Sequence, residues 1–193
     1  MLFVVDLETT GLDPQTACVW QIGCAAVAGG RIVSEYETKV RPLPDLFQSP
    51  HREVVRRVSG LDDTALLALI DAPPYDEAAY LWWRWTWETC GNPFLRRVTS
   101  FNVTFDRLFL ERLLCCRTFG EHTVFGGHQE LQWQPCIMAA AAQAMGLLPR
   151  SDGAYRVRLA VACEHFDIPL NGGHDALIDA RAAALLAIRL GME

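Results

Sequence analysis

The chain has 193 residues, of which 51% are apolar and 21% are charged, and its formal net charge is −6. These values are typical of one globular domain, here residues 1–193, with a substantial core. The negative charge argues against a protein that coats nucleic acid, but it allows one that holds a few nucleotides locally. No stretch approaches the roughly 20 apolar residues of a membrane span, and the N-terminus lacks the basic segment of a signal peptide. We therefore expect a cytoplasmic protein without a membrane partner.

The seven cysteines are scattered along the chain and include no C-x-x-C pair. An odd, dispersed set is typical of reduced thiols rather than of a disulfide framework. Cys163-Glu164-His165 offers two types of zinc ligand, but no second pair occurs at a suitable spacing. The cysteines therefore predict neither disulfides nor a structural zinc site.

Two carboxylates follow directly on the first apolar run. Leu2 to Val5 predicts a buried strand, and Thr9-Thr10-Gly11 supplies the turn that ends it. Residues i and i+2 of a strand project to the same face, so Asp6 and Glu8 should lie side by side. Neighbouring buried carboxylates repel each other unless a cation lies between them, and their oxygens favour Mg²⁺ or Mn²⁺. The alternative is a strand that merely runs out into solvent.

The remaining pattern predicts an α/β protein. In chain order we expect strands at 19–28 and 31–40, a loop at 41–50, helices at 51–69 and from 75, a strand at 98–102, a helix from 105, a short strand between loops at 120–121 and 126–127, and helices at 136–145, 158–166 and 175–190. Gly29-Gly30 suits a tight hairpin turn. A helical crossover separates the first strand from 98–102, so these two strands should be parallel. The expected fold is a mixed central sheet of about five strands flanked by helices.

Four tryptophans, at positions 82, 83, 85 and 87, lie on the helix that is predicted to begin near Tyr75. Their helical spacing places them on two faces of that helix. One interpretation is core packing, since tryptophan is highly buried on average. The others are a surface for a polymerase or a second copy of this chain and a platform for stacked bases. The local sequence does not decide among the three.

Two further segments carry candidate site residues. Asp106 lies near the start of the helix that follows strand 98–102, and ligands of α/β sheets bind at the carboxyl ends of strands. The alternative for Asp106 is an acid that only stabilises the helix dipole. His174 precedes the last helix, and Asp179 lies in its second turn. Because Gly172 and Gly173 give the preceding loop conformational freedom, His174 can lie over the site that Asp179 enters.

Together the three segments resemble the signature of a known enzyme group. The motifs are Asp-Leu-Glu-Thr-Thr-Gly-Leu at 6–12, Asn-Val-Thr-Phe-Asp-Arg-Leu-Phe-Leu at 102–110 and His-Asp-Ala-Leu-Ile-Asp-Ala at 174–180. Their order and spacing are similar to those of the DEDDh group of 3′–5′ exonucleases, DnaQ-like proteins with a ribonuclease H-like fold. The group includes proofreading subunits of DNA polymerases, RNase T and oligoribonuclease. The resemblance extends over the whole chain.

The resemblance implies a role for each residue that matches the motifs. The four carboxylates that would hold two divalent cations, Mg²⁺ or Mn²⁺, are Asp6, Glu8, Asp106 and Asp179. The general base of the h subtype would be His174. The residues that would lie against the terminal nucleotide are Thr9, Thr10 and Leu12, and those that would support the site are Asn102 and Phe105.

The function implied by the resemblance is metal-dependent hydrolysis of phosphodiester bonds at the 3′ end of nucleic acid, with release of nucleoside monophosphates by a two-metal mechanism. The implied partner is single-stranded or frayed DNA rather than RNA, and the implied processes are DNA repair or proofreading. The chain departs from the group at Phe101 and Ser59, where the group often has histidine. Both changes remove polar contacts from the substrate side, so an exoribonuclease that trims RNA is an alternative.

Two rival functions fit the sequence less well. A phosphatase of the haloacid dehalogenase type needs an aspartate where Glu8 stands and a lysine between the motifs, whereas Lys39, the only lysine, lies too early. That chemistry also leaves Asp106 and His174 without roles. The second rival is a non-catalytic nucleic-acid or polymerase-binding module, since fold alone does not determine function. All five residues that the hydrolysis needs are nevertheless present.

Overall fold

A five-stranded sheet organises the part of the chain that the computed structural model describes, which is residues 1–42, 53, 56, 57, 59–92, 96–115, 131–172 and 174–193. The strands are β1 (Leu2–Thr9), β2 (Val19–Ala28), β3 (Arg31–Lys39), β4 (Arg97–Ser100) and β5 (Gln132–Trp133). The helices are α1 (Asp63–Ala68), α2 (Tyr75–Cys90), α3 (Val103–Leu114), α4 (Ile137–Ala144), α5 (Leu159–His165) and α6 (Ala176–Arg189). A short 3₁₀ turn, Leu69–Asp71, follows α1.

The strand order across the sheet is β3-β2-β1-β4-β5. The strand β1 pairs antiparallel with β2 and parallel with β4, while β2 and β3 form an antiparallel hairpin. Gly29 and Gly30 have φ values of 58° and 71°, as the tight turn of that hairpin requires. The predicted mixed sheet of about five strands and the predicted parallel pairing of β1 with β4 are therefore confirmed.

Side chains of β1 alternate between two cores, one on each face of the sheet. Phe3, Val5 and Leu7 belong to the core formed with α2 and α3, whereas Leu2 and Val4 belong to the core formed with α4, α5 and α6. The period of two continues beyond Val4, so Asp6 and Glu8 lie on the face that α6 covers. This alternation is what brings the carboxylates of β1 and the last helix to the same place.

Several predicted boundaries shift by a few residues. The predicted strand 98–102 is Arg97–Ser100, because the chain turns at Asn102 to begin α3 at Val103 rather than at 105. The strand β5 was not predicted, since two residues are too few to show an alternating pattern. The predicted loop at 43–50 and the predicted short strand between 121 and 126 lie outside the described residues.

The tryptophans of α2 divide between the core and the surface. Trp82 is fully buried, which confirms the core-packing interpretation for that residue. Trp85 packs edge-on against Phe3, with ring centroids 5.5 Å apart. Trp83 and Trp87 contact each other with ring centroids 5.3 Å apart, and the side chain of Trp87 is 41% exposed. A partner surface or base platform therefore stays a prediction that concerns Trp87 most directly. None of the described helices is both long and apolar enough to cross a membrane.

Candidate active site

Three carboxylates from the two ends of the chain meet at the carboxyl end of β1. Asp6 and Glu8 come from the strand, and Asp179 comes from the first turn of α6. Ligand oxygens of these three residues all lie within 4.8 Å of one another. Among the described residues they are the one group of three acidic, histidine or cysteine side chains that are close enough to share a metal ion. The structure thus brings together three of the four predicted metal ligands.

The fourth predicted ligand, Asp106, lies next to Asp6. It is in the first turn of α3, where its backbone N–H donates to the carbonyl of Asn102 at 3.1 Å. Its side chain is only 3% exposed, and its charge is one of the causes that raise the pKa of Asp6. Asp106 therefore extends the cluster of three carboxylates toward β4.

Burial and mutual repulsion disfavour the charged forms of these groups. Burial is the largest cause that raises the pKa of Asp6 well above its usual range, followed by the charges of Asp106 and Asp179. Burial also raises the pKa of Asp106 to about 7, although a hydrogen bond from the backbone N–H of Leu7 opposes the increase. The pKa values of Glu8 and Asp179 are raised as well, again mainly by burial.

The donor set fits a divalent cation. Carboxylate oxygens are the ligands that Mg²⁺ and Mn²⁺ prefer, and a cation between them would remove the repulsion that raises their pKa values. Asp179 supplies a further observation, because its Oδ1 atom is buried and has no hydrogen-bond partner. Buried polar atoms normally have a partner, and a metal ion at this cluster would supply one. The residues of this cluster can therefore hold a metal ion.

His174 lies in the loop immediately before α6, as the sequence predicted. Its φ of 63° is in the left-handed region, which is uncommon for a residue other than glycine. It is close enough to Glu8 and Asp179 for its charge to lower both of their pKa values. Gly173, expected to give this loop freedom, lies outside the described residues. The imidazole is thus placed beside the carboxylate cluster.

Sequence reasoning missed Gln21, which ties the start of α6 to the sheet. Its fully buried side chain donates from Nε2 to Asp175 at 3.0 Å and to Glu37 at 2.9 Å. Asp175 is the N-cap of α6, and its carboxylate accepts from the backbone N–H groups of Leu177 and Ile178. The signal available in the sequence was a single glutamine within the otherwise apolar strand β2.

The sequence also missed the close approach of α6 to Gly23. A Cβ atom at this position would lie 2.1 Å from the carbonyl carbon and oxygen of Ala176. Only glycine leaves room for that backbone, so the position of α6 against β2 depends on this residue. Because α6 carries Asp179, Gly23 and Gln21 determine where the third carboxylate lies.

The predicted substrate-contact residues divide into buried and exposed sets. Thr9 and Thr10 are buried: the hydroxyl of Thr9 donates to the carbonyl of Gly11 at 2.7 Å, and the hydroxyl of Thr10 accepts from Cys18 N–H at 2.9 Å. These bonds hold the turn that presents Leu12, whose side chain is 76% exposed. Contact of the three residues with a nucleotide stays a prediction.

Two pockets are lined by residues that the sequence placed at the site. One, of about 530 Å³, is lined by Asn102 and Phe105, the residues predicted to support the site. The other, of about 500 Å³, is lined by His174, Trp20 and Leu61. Since Asn102 and Phe105 follow β4 and Trp20 begins β2, the pockets lie on opposite sides of β1 in the sheet.

No family model matches the chain. Two relatives are nevertheless similar over nearly all of it. A DNA polymerase III of PolC type from Oceanobacillus iheyensis is 25% identical over 190 residues, which are 97% of this chain and 11% of that protein. A Mycobacterium tuberculosis protein, named as a proposed bifunctional exonuclease/endonuclease, is 32% identical over 187 residues, which are 93% of this chain and 24% of that protein. The chain thus corresponds to a small part of each relative.

Solved structures of exonucleases have the same fold. Escherichia coli exonuclease I in complex with a dT13 oligonucleotide superposes with a TM-score of 0.71 and 15% identity, over 98% of this chain and 40% of that one. Exonuclease X in complex with 5′-overhanging duplex DNA gives a TM-score of 0.64 and 18% identity, over 98% of this chain and 90% of that one. The predicted resemblance is therefore confirmed, and the chain has the ribonuclease H-like fold of the DnaQ-like 3′–5′ exonucleases.

Proposed function

We propose that residues 1–193 form a single exonuclease domain that hydrolyses phosphodiester bonds at the 3′ end of nucleic acid. The observation that carries this proposal is the meeting of Asp6, Glu8 and Asp179, with ligand oxygens within 4.8 Å of one another, in an exonuclease fold. The products are nucleoside monophosphates and a strand shortened by one nucleotide. Exonuclease I and exonuclease X are each solved with DNA, which supports single-stranded or frayed DNA as the substrate.

Each predicted residue has a task in the proposed reaction. Asp6, Glu8, Asp106 and Asp179 would hold two divalent cations, Mg²⁺ or Mn²⁺. When bound, these cations would neutralise charge on the attacking and leaving oxygens and make water more acidic. His174 accepts the proton of the attacking water, whose oxygen bonds to phosphorus as the bond from phosphorus to the leaving O3′ breaks. The O3′ takes up a proton from solvent and becomes the 3′-hydroxyl of the shortened strand.

The turn that ends β1 would position the substrate. The hydrogen bonds of Thr9 and Thr10 fix the backbone of this turn before substrate binds. The exposed side chain of Leu12 can therefore pack against the terminal nucleotide without the free-energy cost of ordering the turn. Asn102 and Phe105 border the pocket on the other side of the cluster. A polymerase partner is supported only by the similarity to the PolC-type polymerase, and a cytoplasmic location stays a prediction.

The test is digestion of single-stranded DNA and RNA labelled at either end. With Mg²⁺ or Mn²⁺, the 3′-labelled DNA should release labelled mononucleotide at once, while the 5′-labelled DNA should shorten in single steps. Excess EDTA should abolish both, and Mn²⁺ should restore them. Full activity in excess chelator would contradict the role of the cations, and faster digestion of RNA would identify an exoribonuclease. Binding without any hydrolysis would identify a non-catalytic module.

A further inference from the structure

The pocket beside β4 extends well beyond the residues that the proposed reaction uses. Its volume is about 530 Å³, and it runs from Asn102 and Phe105, next to Asp106, to Tyr155 and Arg156. Tyr155 and Arg156 belong to the loop between α4 and α5. Neither residue belongs to the carboxylate cluster, but Phe105 directly precedes Asp106 in α3, so the pocket begins beside the candidate active site.

The loop that forms the far wall of this pocket is held by its own hydrogen bonds. Arg150 N–H donates to the carbonyl of Ala154, and Gly153 N–H donates to the carbonyl of Arg150, both at 2.9 Å. The carboxylate of Asp152 accepts from Ala154 N–H at 2.9 Å, and Gly153 has a φ of 78° that suits glycine. The turn therefore presents the two residues that follow it, Tyr155 and Arg156, in a preformed arrangement.

Arg156 differs from Arg96 and Arg107 in its surroundings. It is exposed and makes no ion pair with any residue in the described ranges. In contrast, Arg107 donates to Glu111 at 2.8 Å, and Arg96 is fully buried. A guanidinium without an ion pair in the described part of the chain, on a preformed loop, suits the phosphate of a polyanion, because its planar donors match phosphate oxygens.

The rest of the pocket offers flat and apolar surfaces. Phe105 and Tyr155 are half-buried aromatic residues, and Leu108 is 51% exposed at the pocket. Aromatic side chains beside a positively charged group are the arrangement that binds single-stranded nucleic acid without reading its sequence. Both base and backbone of a single strand therefore find complementary groups here.

The direction of the proposed reaction determines which part of the strand reaches this pocket. In an in-line displacement, the attacking water and the leaving O3′ lie on opposite sides of the phosphorus. His174, the group that accepts the proton of the water, lines the pocket on the β2 side. The leaving O3′ belongs to the upstream strand, which should therefore depart toward β4 and the pocket of Arg156.

We infer that the pocket formed by Phe105, Tyr155 and Arg156 binds the single strand upstream of the scissile bond, with Arg156 contacting a backbone phosphate. This inference rests on the proposed function, because that reaction defines which side is upstream. It assigns to the loop between α4 and α5 the retention of long substrates, while the carboxylate cluster performs hydrolysis on any 3′ end.

The kinetic test compares a long and a minimal substrate in Arg156→Gln and Arg158→Gln. Arg158 is a matched control, since it is exposed, lies two residues away and does not line the pocket. For a thymidine oligonucleotide longer than the pocket, Arg156→Gln should raise KM about tenfold, a typical loss for one charge-assisted contact, with kcat little changed. The slope of log KM against the logarithm of the salt concentration should decrease by about 0.7, as expected for the loss of one phosphate contact on a single strand. Arg156→Lys should recover part of the loss.

The minimal substrate is the p-nitrophenyl ester of thymidine 5′-monophosphate, which has no upstream strand. Arg156→Gln should hydrolyse it at the parental rate with either Mg²⁺ or Mn²⁺. Equal KM values for Arg156→Gln and Arg158→Gln on the oligonucleotide would overturn the inference. An equal loss on the ester and the oligonucleotide would also overturn it, because the residue would then act on the reaction centre.

A binding measurement separates this inference from the proposed function. Fluorescence anisotropy of labelled oligonucleotides in EDTA needs no hydrolysis, and lengthening the probe from a dinucleotide to an octanucleotide should strengthen binding to the parent chain. Arg156→Gln should lose most of that gain, whereas Arg158→Gln should keep it. If the parent chain binds oligonucleotides but hydrolyses none, the proposed function is wrong. The pocket assignment is then tested only by the increase in affinity from the dinucleotide to the octanucleotide. An equal increase in affinity with probe length in the parent, Arg156→Gln and Arg158→Gln would contradict the pocket assignment.

Discussion

His174 shows how much of the proposed chemistry depends on the conformation of one residue. A left-handed backbone costs a non-glycine residue roughly 1–2 kcal/mol, and such strain persists where the surrounding structure enforces it. Here the following residue, Asp175, is held by Gln21 and by two N–H groups of α6. The strain is therefore maintained by the same contacts that place Asp179 in the cluster.

Replacement of His174 should separate its chemistry from its backbone. We expect His174→Asn to lower kcat on the order of 10²–10⁴-fold, the usual contribution of a general base. Asparagine tolerates a positive φ, so it removes the imidazole without changing the preferred backbone. The increase in melting temperature on addition of Mn²⁺ should be close to parental, because His174 is not one of the proposed ligands. The measurements are steady-state kinetics over a pH series and thermal unfolding with and without Mn²⁺.

His174→Ala provides the comparison, since alanine removes the imidazole but is disfavoured at positive φ. Similar kcat values for the two variants would assign the loss to the imidazole. Near-parental turnover in His174→Asn, with an unchanged pH profile, would mean that another group accepts the proton.

At the scale of the element, α6 places Asp179, from the C-terminal end of the sequence, beside Asp6 and Glu8 of β1. The helix packs over β1 and β2, and its alanines 182, 183, 184 and 187 are buried in the core on that face. Small residues allow a helix to approach a sheet closely, and Gly23 removes the remaining side chain from the contact. The geometry of the cluster therefore depends on residues that have no chemistry of their own.

Gly23→Ala should damage the site through packing alone. The new methyl group would overlap the backbone at Ala176, so either β2 or the start of α6 must move. Forced overpacking of this kind costs roughly 1–3 kcal/mol or more, and we expect a lower melting temperature together with a large loss of kcat and of Mn²⁺ affinity. Thermal unfolding, kinetics and metal titration would measure the three effects.

Gly29→Ala is the matched control for this substitution. Its φ is 58°, but no atom lies within 4 Å of the added methyl group. It should lose stability through backbone strain of about 1 kcal/mol while keeping parental kcat. If Gly23→Ala keeps parental kcat and Mn²⁺ affinity, the close approach of α6 to β2 does not control the site.

At the scale of the whole molecule, burial and, for Asp6, the charges of its neighbours make the ionised carboxylate cluster unfavourable in the folded state, and a cation would offset this. Asp6 and Asp106 are buried acids whose raised pKa values favour the protonated form in the folded state. Unfolded, the same groups ionise near pH 4. Between about pH 4 and about 7, the folded chain therefore binds protons that the unfolded chain has already lost, so the stability of the ion-free protein should fall as pH rises. Asp175 and Glu35, whose pKa values are lowered, lose their contributions only at lower pH.

Thermal unfolding in EDTA should therefore give a lower melting temperature at about pH 8 than at about pH 5. Each kcal/mol of unfolding free energy corresponds to roughly 2–4 °C of melting temperature in a chain of this size. Binding of Mn²⁺ stabilises the folded state, and it should raise the melting temperature most at the higher pH, where the carboxylates are ionised. Asp106→Asn should be more stable than the parent in EDTA at about pH 8, gain less from Mn²⁺ and lose activity. A melting temperature in EDTA that rises from pH 5 to pH 8 would contradict the raised pKa values of Asp6 and Asp106.

The sequence by itself identified the candidate site residues and most elements. The shared face of Asp6 and Glu8 was predictable because side chains of a strand alternate with a period of two. The hairpin at Gly29-Gly30 was predictable because its turn requires positive φ. Asp106 and Asp179 were identified as candidate ligands by the resemblance of the three motifs taken together, since an acid near a helix start alone also fits a purely structural role. Local patterns suffice for the shared strand face and the hairpin because each depends on residues a few positions apart.

Only the tertiary structure decided which of these residues meet and what holds them. The contact of Gln21 with Asp175 joins residues 154 positions apart, and the clearance at Gly23 depends on Ala176. Helical spacing places the four tryptophans of α2 on two faces without indicating which face is buried, and the structure buries Trp82 in the core while Trp87 is exposed. Likewise, Arg156 and Arg158 are indistinguishable in sequence, and only the path of the loop places one of them in the pocket. Such differences arise from which surfaces pack together, a property of distant residues that no local pattern contains.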